Sequence, residues 1–407
     1  EADPETVADA RERSDRGRAL VHLGRPAAAV ELARELLRDT DDLHHPGLQA
    51  AAVRLQGEGE LALGHDEAAE SALLDAVRRA TRDDRDYALA LAWLDLAGVL
   101  ARNPERLVEA GHTLDNASML LERIHDEERR WAIAATRADI AQRGGRTTEA
   151  LARYHEALTE LDRVAAPIWA RVAVLTALGE LVASRGDLAA AEGYFTRALT
   201  VLKDRLGAGH PALAQPLLRI GDLQSSRKAT ADAQASWERA LQILGDAHGP
   251  DAPTTVRALL AVATRLREDG DAISALDYDR RALLAVERAP TRDEGLVVTV
   301  LVDQSRTLLA LARDRQAVPL LTRASEATEA AHRGAARTGD EGQRRDAAAR
   351  LVEVQGLLAR ALWSDKPSRP RALELAGKVR TVANEHKLAI DPWVASVAEH
   401  ISEGSAP

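Results

Sequence analysis

Alanine recurs in this chain at a fixed interval, and that interval limits the fold more than any other feature. Ala191, Ala233, Ala275 and Ala317 lie 42 residues apart, as do Ala198, Ala240, Ala282 and Ala324, each seven positions after its partner. Towards the N-terminus, Ala150/Ala157, Ala110/Ala117 and Ala69/Ala76 continue the series at steps of 40 or 41, and Ala29 begins it with Leu36 in the second slot. A period of this size marks a stack of like modules, each unable to bury its apolar face alone, rather than one globular core.

Composition says what the modules are made of. Apolar residues make up 45% of the chain but aromatic residues only 3%, so alanine and leucine supply most of the apolar surface. With arginine and glutamate they are strong helix formers. The best strand-like run, Val297–Val302, falls inside a repeat that reads as helix. The expectation is an all-helical protein.

One unit runs from Val172 to Arg205. Leu175, Leu178, Gly179 and Val182 share one helical face at spacings of three and four. Ser184-Arg185-Gly186-Asp187 then supplies a turn, and Ala190, Ala191, Tyr194, Phe195 and Ala198 form the face of a second helix. The unit is a helix–turn–helix hairpin. Gly57, Ala97, Ala138, Gly179, Gly221, Ala263 and Ser305 recur where the two helices of each hairpin cross, which predicts close backbone approach there. Trp93, Tyr154, Phe195 and Trp237 read as core packing residues, while Trp131, Trp169, Trp363 and Trp393 fall nearer unit edges.

These residues resemble the tetratricopeptide repeat: Leu178-Gly179, Gly186, Ala191, Phe195 and Ala198 in one unit, then Ile220-Gly221, Ala233, Trp237 and Ala240 in the next, then Gly270, Ala275 and Ala282. Residues 1–331 divide into eight such units, near 9–42, 50–83, 90–124, 131–164, 172–205, 214–247, 256–289 and 298–331. The 42-residue spacing is similar to the kinesin-light-chain type, whose linkers read Gly-x-x-His-Pro; Gly207-Ala208-Gly209-His210-Pro211 fits that pattern. Glycine ends one helix there and proline starts the next, so His210 reads as a linker residue. The resemblance implies a right-handed superhelical solenoid. The glycines and charges of 332–348 read as a mobile loop. Residues 349–400 read as a degraded ninth repeat with a helical cap, and 401–407 as a tail.

The chain has no cysteine and a net charge of −10 with both signs interspersed, which argues against nucleic acid as the main partner. No apolar run approaches the roughly 18 residues of a membrane span. No catalytic, metal-binding or cofactor-binding motif is present: zinc-protease, phosphate-loop and kinase signatures are all missing. His44-His45 suit a turn before Pro46, and Asp41-Asp42 and Asp83-Asp84 read as solvated turn pairs.

In arrays of the tetratricopeptide type, first helices line the groove where peptides bind, and the residue after the small crossing residue faces it. That position reads Glu58, Gly98, Asp139, Glu180, Asp222, Thr264 and Arg306, with Asp95 one turn earlier in its unit and Arg54, Arg102, Arg143 and Arg219 nearby. The expectation is an acidic groove, partly countered by arginine, that prefers a basic or mixed-charge protein segment. The candidate site is Arg54, Glu58, Asp95, Asp139, Arg143, Glu180, Arg219 and Asp222. Asn103, Asn116 and Asn384 are the only asparagines and none stands at a groove position, so the asparagine-based peptide clamps of related arrays do not transfer.

Ala2-Asp3-Pro4-Glu5, followed by Arg18-Ala19-Leu20 and Gly24-Arg25, with Arg371–Ala376 and Ile390-Asp391-Pro392-Trp393 near the end, resemble the C-terminal repeat region of bacterial serine/threonine protein kinases. The start lacks Met and a signal pattern, and reads as a fragment of a longer protein. The resemblance implies a non-catalytic regulatory or substrate-recruiting region that binds another protein or another domain of its own parent chain. It implies a bacterial, cytoplasmic location, or an extracytoplasmic one if the parent carries a membrane span upstream. The alternative reading is the sensor arm of a nucleotide-dependent transcription regulator or of a caspase-like protease.

Overall fold

The computed structural model describes residues 4–22, 24–41, 45–82, 86–338 and 341–402. Asp42, His44, Asp83, Asp84 and residues 403–407 lie outside them. Among the described residues every regular element is helical, as the composition predicts. The helices pair in chain order, and the chain divides into two compact units, Glu1–Ala208 and Gly209–Pro407.

The first unit holds five hairpins: α1 (Pro4–His22) with α2 (Pro26–Asp41), α3 (Pro46–Leu63) with α4 (Asp66–Arg82), α5 (Asp86–Leu100) with α6 (Leu107–Arg123), α7 (Arg130–Arg143) with α8 (Thr147–Arg163), and α9 (Ile168–Ser184) with α10 (Leu188–Leu206). The second holds α11 (Ala214–Ser226) with α12 (Thr230–His248), α13 (Pro253–Glu268) with α14 (Ala272–Arg288), α15 (Glu294–Ala310) with α16 (Asp314–Thr338), α17 (Glu341–Trp363) with α18 (Arg369–His386), and a closing α19 (Pro392–Ser402). Within each unit, first helices of successive hairpins also touch: α1 to α3, α5, α7 and α9 in turn, and α11 to α13, α15 and α17.

Local chemistry sets the helix ends. Asp187, Asp271 and Asp293 cap α10, α14 and α15 by accepting from the backbone N–H three residues on. His210 Nδ1 accepts from Ala212 N at 3.2 Å, so it caps the turn that leads into α11. Gly186 and Gly270 turn their hairpins at φ +86° and +87°. In the α11/α12 and α15/α16 turns that left-handed conformation falls to Lys228 (φ 64°) and Ala312 (φ 54°).

Two expectations need correction. Residues 332–338 complete α16 and 341–348 begin α17, where 332–348 read as a mobile loop. Alanine and arginine dominate the segment, and a helical glycine costs only about 1 kcal/mol relative to alanine. Gly334 is also unopposed by any neighbour. The small crossing residues, moreover, make room for a side chain rather than for a bare backbone. A Cβ on Gly57 would meet Leu73 at 2.7 Å, on Gly179 would meet Phe195 at 2.8 Å, and on Gly221 would meet Trp237 at 2.5 Å. Each partner follows its small residue by sixteen positions and lies between the two alanines of its second helix. Leu73, Leu114, Tyr154, Phe195, Trp237 and Leu321 all occupy this slot and all are buried. Trp93 does not: it lies half-buried on α5, a first helix.

Candidate functional site

The sequence-predicted residues fall on first helices, and they separate into three small arrangements. In the first unit, Arg54 on α3 is buried at 7% exposure. Its Nε donates to Asp95 Oδ2 on α5 at 2.6 Å and its Nη2 to Glu58 Oε1 at 3.3 Å. Arg18 on α1 brings its Nε to 3.6 Å from the same Glu58 oxygen, and its Nη1 donates to Asp15 Oδ1 at 3.1 Å. A charge chain thus ties three successive hairpins together. Burial and the Asp95 carboxylate push the Glu58 carboxyl up from its ordinary value, against Arg54 and Arg18. Burial opposes the Arg54 charge, but Asp95 and Glu58 outweigh it and hold the guanidinium above its usual value. Arg54, Glu58 and Asp95 are joined to one another, so they brace neighbouring hairpins.

Further along the same unit, Asp139 and Arg143 on α7 and Glu180 on α9 are exposed. The Tyr154 hydroxyl on α8 donates to Asp139 Oδ1 and lies 3.0 Å from Gln142 Oε1. Between Glu58 and Asp139 in this series stands Gly98, over which a Cβ would meet nothing within 4 Å.

In the second unit the same arrangement recurs with another donor. Trp237 Nε1 on α12 donates to Asp222 Oδ1 on α11 at 3.1 Å, and exposed Arg219 lies 3.7 Å from Asp222 Oδ2. Loss of water pushes the Asp222 carboxyl up, while the indole N–H and Arg219 pull it down. In both cases the acid precedes its donor by fifteen positions, a spacing visible in the sequence once the large-residue slot is known.

Sequence reasoning missed the densest polar cluster of the second unit. Arg267 on α13 donates to Thr307 Oγ1 at 2.9 Å, Thr264 Oγ1 at 3.1 Å, the Asp303 carbonyl at 3.3 Å and Asp303 Oδ1 at 3.4 Å. Arg306 joins Asp303 at 3.3 Å and reaches Glu353 on α17. Ser225 Oγ donates to Asp269 Oδ2 at 2.5 Å, and Arg265 pairs with the same carboxylate. Thr264 and Arg306 therefore hold neighbouring side chains. Arg102, read as a groove residue, instead pairs with Asp66 at the start of α4 at 2.9 Å, because it lies beyond the end of α5.

Among the described residues no group of three or more His, Asp or Glu side chains could hold a metal ion, and no helix is long and apolar enough to cross a membrane.

The tetratricopeptide-repeat family profile matches residues 170–246, the stretch from α9 to the end of α12. The chain carries tetratricopeptide repeats. As such it is a scaffold for protein interactions. No curated protein matches the sequence. Among solved structures, the tetratricopeptide-repeat chain is similar to the apo form of RapI at 11% identity, covering 93% of this chain and 99% of that one, with a TM-score of 0.49. It is similar to the apo form of the quorum sensor NprR from B. thuringiensis at 13% identity, covering 78% and 87%, with a TM-score of 0.49. It is also similar to BtubC (BKLC) from P. vanneervenii at 16% identity, covering 56% and 91%, with a TM-score of 0.45.

Proposed function

We propose that the first-helix faces of this repeat protein hold a basic or mixed-charge protein segment, and that the chain acts as the regulatory or substrate-recruiting region of a bacterial serine/threonine protein kinase. The partner is another protein or another domain of the same parent chain. The observation that carries the binding reading is the exposed row on α7 and α9, where Asp139, Arg143 and Glu180 present charge, with open space over Gly98 on α5. An extended chain laid along such a row gains charge-assisted hydrogen bonds without displacing core contacts. The kinase reading is supported by the short motifs at 2–25 and 371–393. No specific observation favours the transcription-regulator or protease alternative.

The test measures fluorescence anisotropy of a labelled lysine-rich peptide and of its glutamate-rich counterpart with the full chain. Selective, salt-sensitive binding of the lysine-rich peptide, weakened tenfold or more by Glu180→Lys, is the expected result. Equal binding of both peptides, or no effect of the reversal, overturns the basic-segment reading.

A further inference from the structure

The slot that holds Leu73, Leu114, Tyr154, Phe195, Trp237 and Leu321 in other hairpins holds Asp279 in the seventh. Asp279 lies on α14 between Ala275 and Ala282, opposite Ala263 of α13, and has no exposed surface. Neither carboxyl oxygen has a hydrogen-bond partner. A buried ionised carboxylate without partners is among the costliest groups a core can hold, so it takes up a proton instead. Its neighbours relieve that cost only in part: Thr307 and Arg267 favour the charged form, but both are engaged elsewhere. Thr307 on α15 accepts from Arg267 and donates to the Asp303 carbonyl at 3.2 Å. Arg267 spreads its donors over Thr264, Thr307 and Asp303. Gln304 on α15 is also buried and leaves its Oε1 without a partner.

We propose that Asp279 is a proton-binding switch built into the seventh hairpin: the neutral carboxyl is the form the packed hairpin holds, and ionisation loosens α13, α14 and α15 from one another. The charged groups acting on it are Arg267 from α13, which favours ionisation, and Asp303 from α15, which opposes it; α16 brings none. Burial outweighs both Thr307 and Arg267 and pushes the carboxyl up to about 6. An aspartate in an unfolded chain titrates near about 3.9. The folded form therefore binds the proton more tightly than the unfolded one. The stability this confers is fully present below the unfolded value and is lost as pH rises through about 6. The affected helices carry Thr264, Arg267, Asp303 and Arg306, so the switch acts on the first-helix surface of this unit.

The experiment compares urea unfolding of the full chain with Asp279→Asn and Asp279→Leu between pH 4 and pH 8. Asparagine keeps the shape without the charge, and leucine is the residue three other hairpins use. Relative to Asp279→Asn, the wild-type unfolding constant should rise roughly fiftyfold between pH 4 and 8, with about a tenfold rise left above pH 5. Amide exchange in α13 to α15, corrected for intrinsic rates, should accelerate over the same range in the wild type alone. Parallel pH profiles for the wild type and Asp279→Asn overturn the proposal. If Asp279→Leu fails to fold while Asp279→Asn matches the wild type at every pH, the aspartate is only a spacer and the proposal also fails. A peptide-binding defect leaves these readouts untouched, so this outcome is separable from that of the binding test.

Discussion

Gly221→Ala adds one methyl group to a first helix, and the structure says where it goes. The new Cβ would lie 2.5 Å from both Cδ1 and Nε1 of Trp237 and 3.0 Å from Cε2. Unstrained carbon contacts fall near about 3.5–4.0 Å, so the indole must retreat by roughly 1 Å. It has little room to do so, being 1% exposed and tied through Nε1 to Asp222 at 3.1 Å. Overpacking of this kind costs roughly 1–3 kcal/mol. The better helix propensity of alanine returns about 1 kcal/mol. The net expectation is a loss of up to about 2 kcal/mol. Gly193→Ala, in the middle of α10 with nothing within 4 Å of its Cβ, is the matched control. It should gain roughly 0.5–1 kcal/mol, so two identical substitutions should differ in sign. Urea unfolding gives the midpoints, and amide exchange in α11 and α12 reports the hairpin itself, since repeat arrays unfold in parts. Trp237→Leu in the Gly221→Ala background should then recover at least about 1 kcal/mol relative to additivity. Equal shifts for both glycine variants, or an additive double variant, would refute the sixteen-residue packing rule.

Two further changes follow from geometry. Lys228→Gly and Ala312→Gly relieve left-handed backbone at φ 64° and 54°; strain of about 1–2 kcal/mol less the glycine entropy cost predicts gains of roughly 0.5–1 kcal/mol each in urea midpoint, and a loss for either would contradict the turn geometry. Arg54→Met leaves Glu58 and Asp95 facing each other without their shared cation. With both carboxylates still about a quarter exposed, the expected loss is roughly 2–3 kcal/mol rather than the full cost of a buried orphan charge, and a neutral result would mean the chain of charges braces nothing.

The repeat was legible because its alanines obey a steric rule that sequence spacing records directly. A small residue on one helix and a large one sixteen positions later are two ends of one contact, and both survive as a pattern. The charged site was legible only as a list of residues. That Arg54 gathers Glu58 and Asp95 depends on the distance between α3 and α5, which no single repeat encodes. The Arg267–Asp303–Thr307 cluster escaped notice because its members lie off the position used to define the groove, Arg267 on α13 and Asp303 and Thr307 on α15. Asp279 escaped because an aspartate between two alanines looks like an ordinary surface residue until the slot it fills is known to be buried. The helices over 332–338 and 341–348 were missed for the opposite reason: glycines weigh heavily in a sequence pattern but little in a helix otherwise rich in alanine and arginine.

Acidity along the first helices has two physical origins, and one comparison separates them. Asp222 accepts from the Trp237 indole, and Asp139 accepts from the Tyr154 hydroxyl. In these two hairpins the large core residue carries a polar atom, and the acid fifteen positions earlier satisfies it. In the hairpin between them, Phe195 has nothing to donate, and Glu180 at the matching position is exposed. Asp222→Lys should therefore cost roughly 1–3 kcal/mol, because it leaves a buried N–H without an acceptor. Asp222→Asn keeps an acceptor oxygen and should cost far less, although it removes the same negative charge. Glu180→Lys, at an exposed position, should shift stability by less than about 1 kcal/mol. A lysine-rich peptide that loses affinity with Glu180→Lys is then responding to charge on the binding face, since the fold is unchanged. One that loses affinity only with Asp222→Lys, and not with Asp222→Asn, is responding to a damaged hairpin. Equal destabilisation by Asp222→Asn and Asp222→Lys would refute the indole hydrogen bond as the reason for that aspartate.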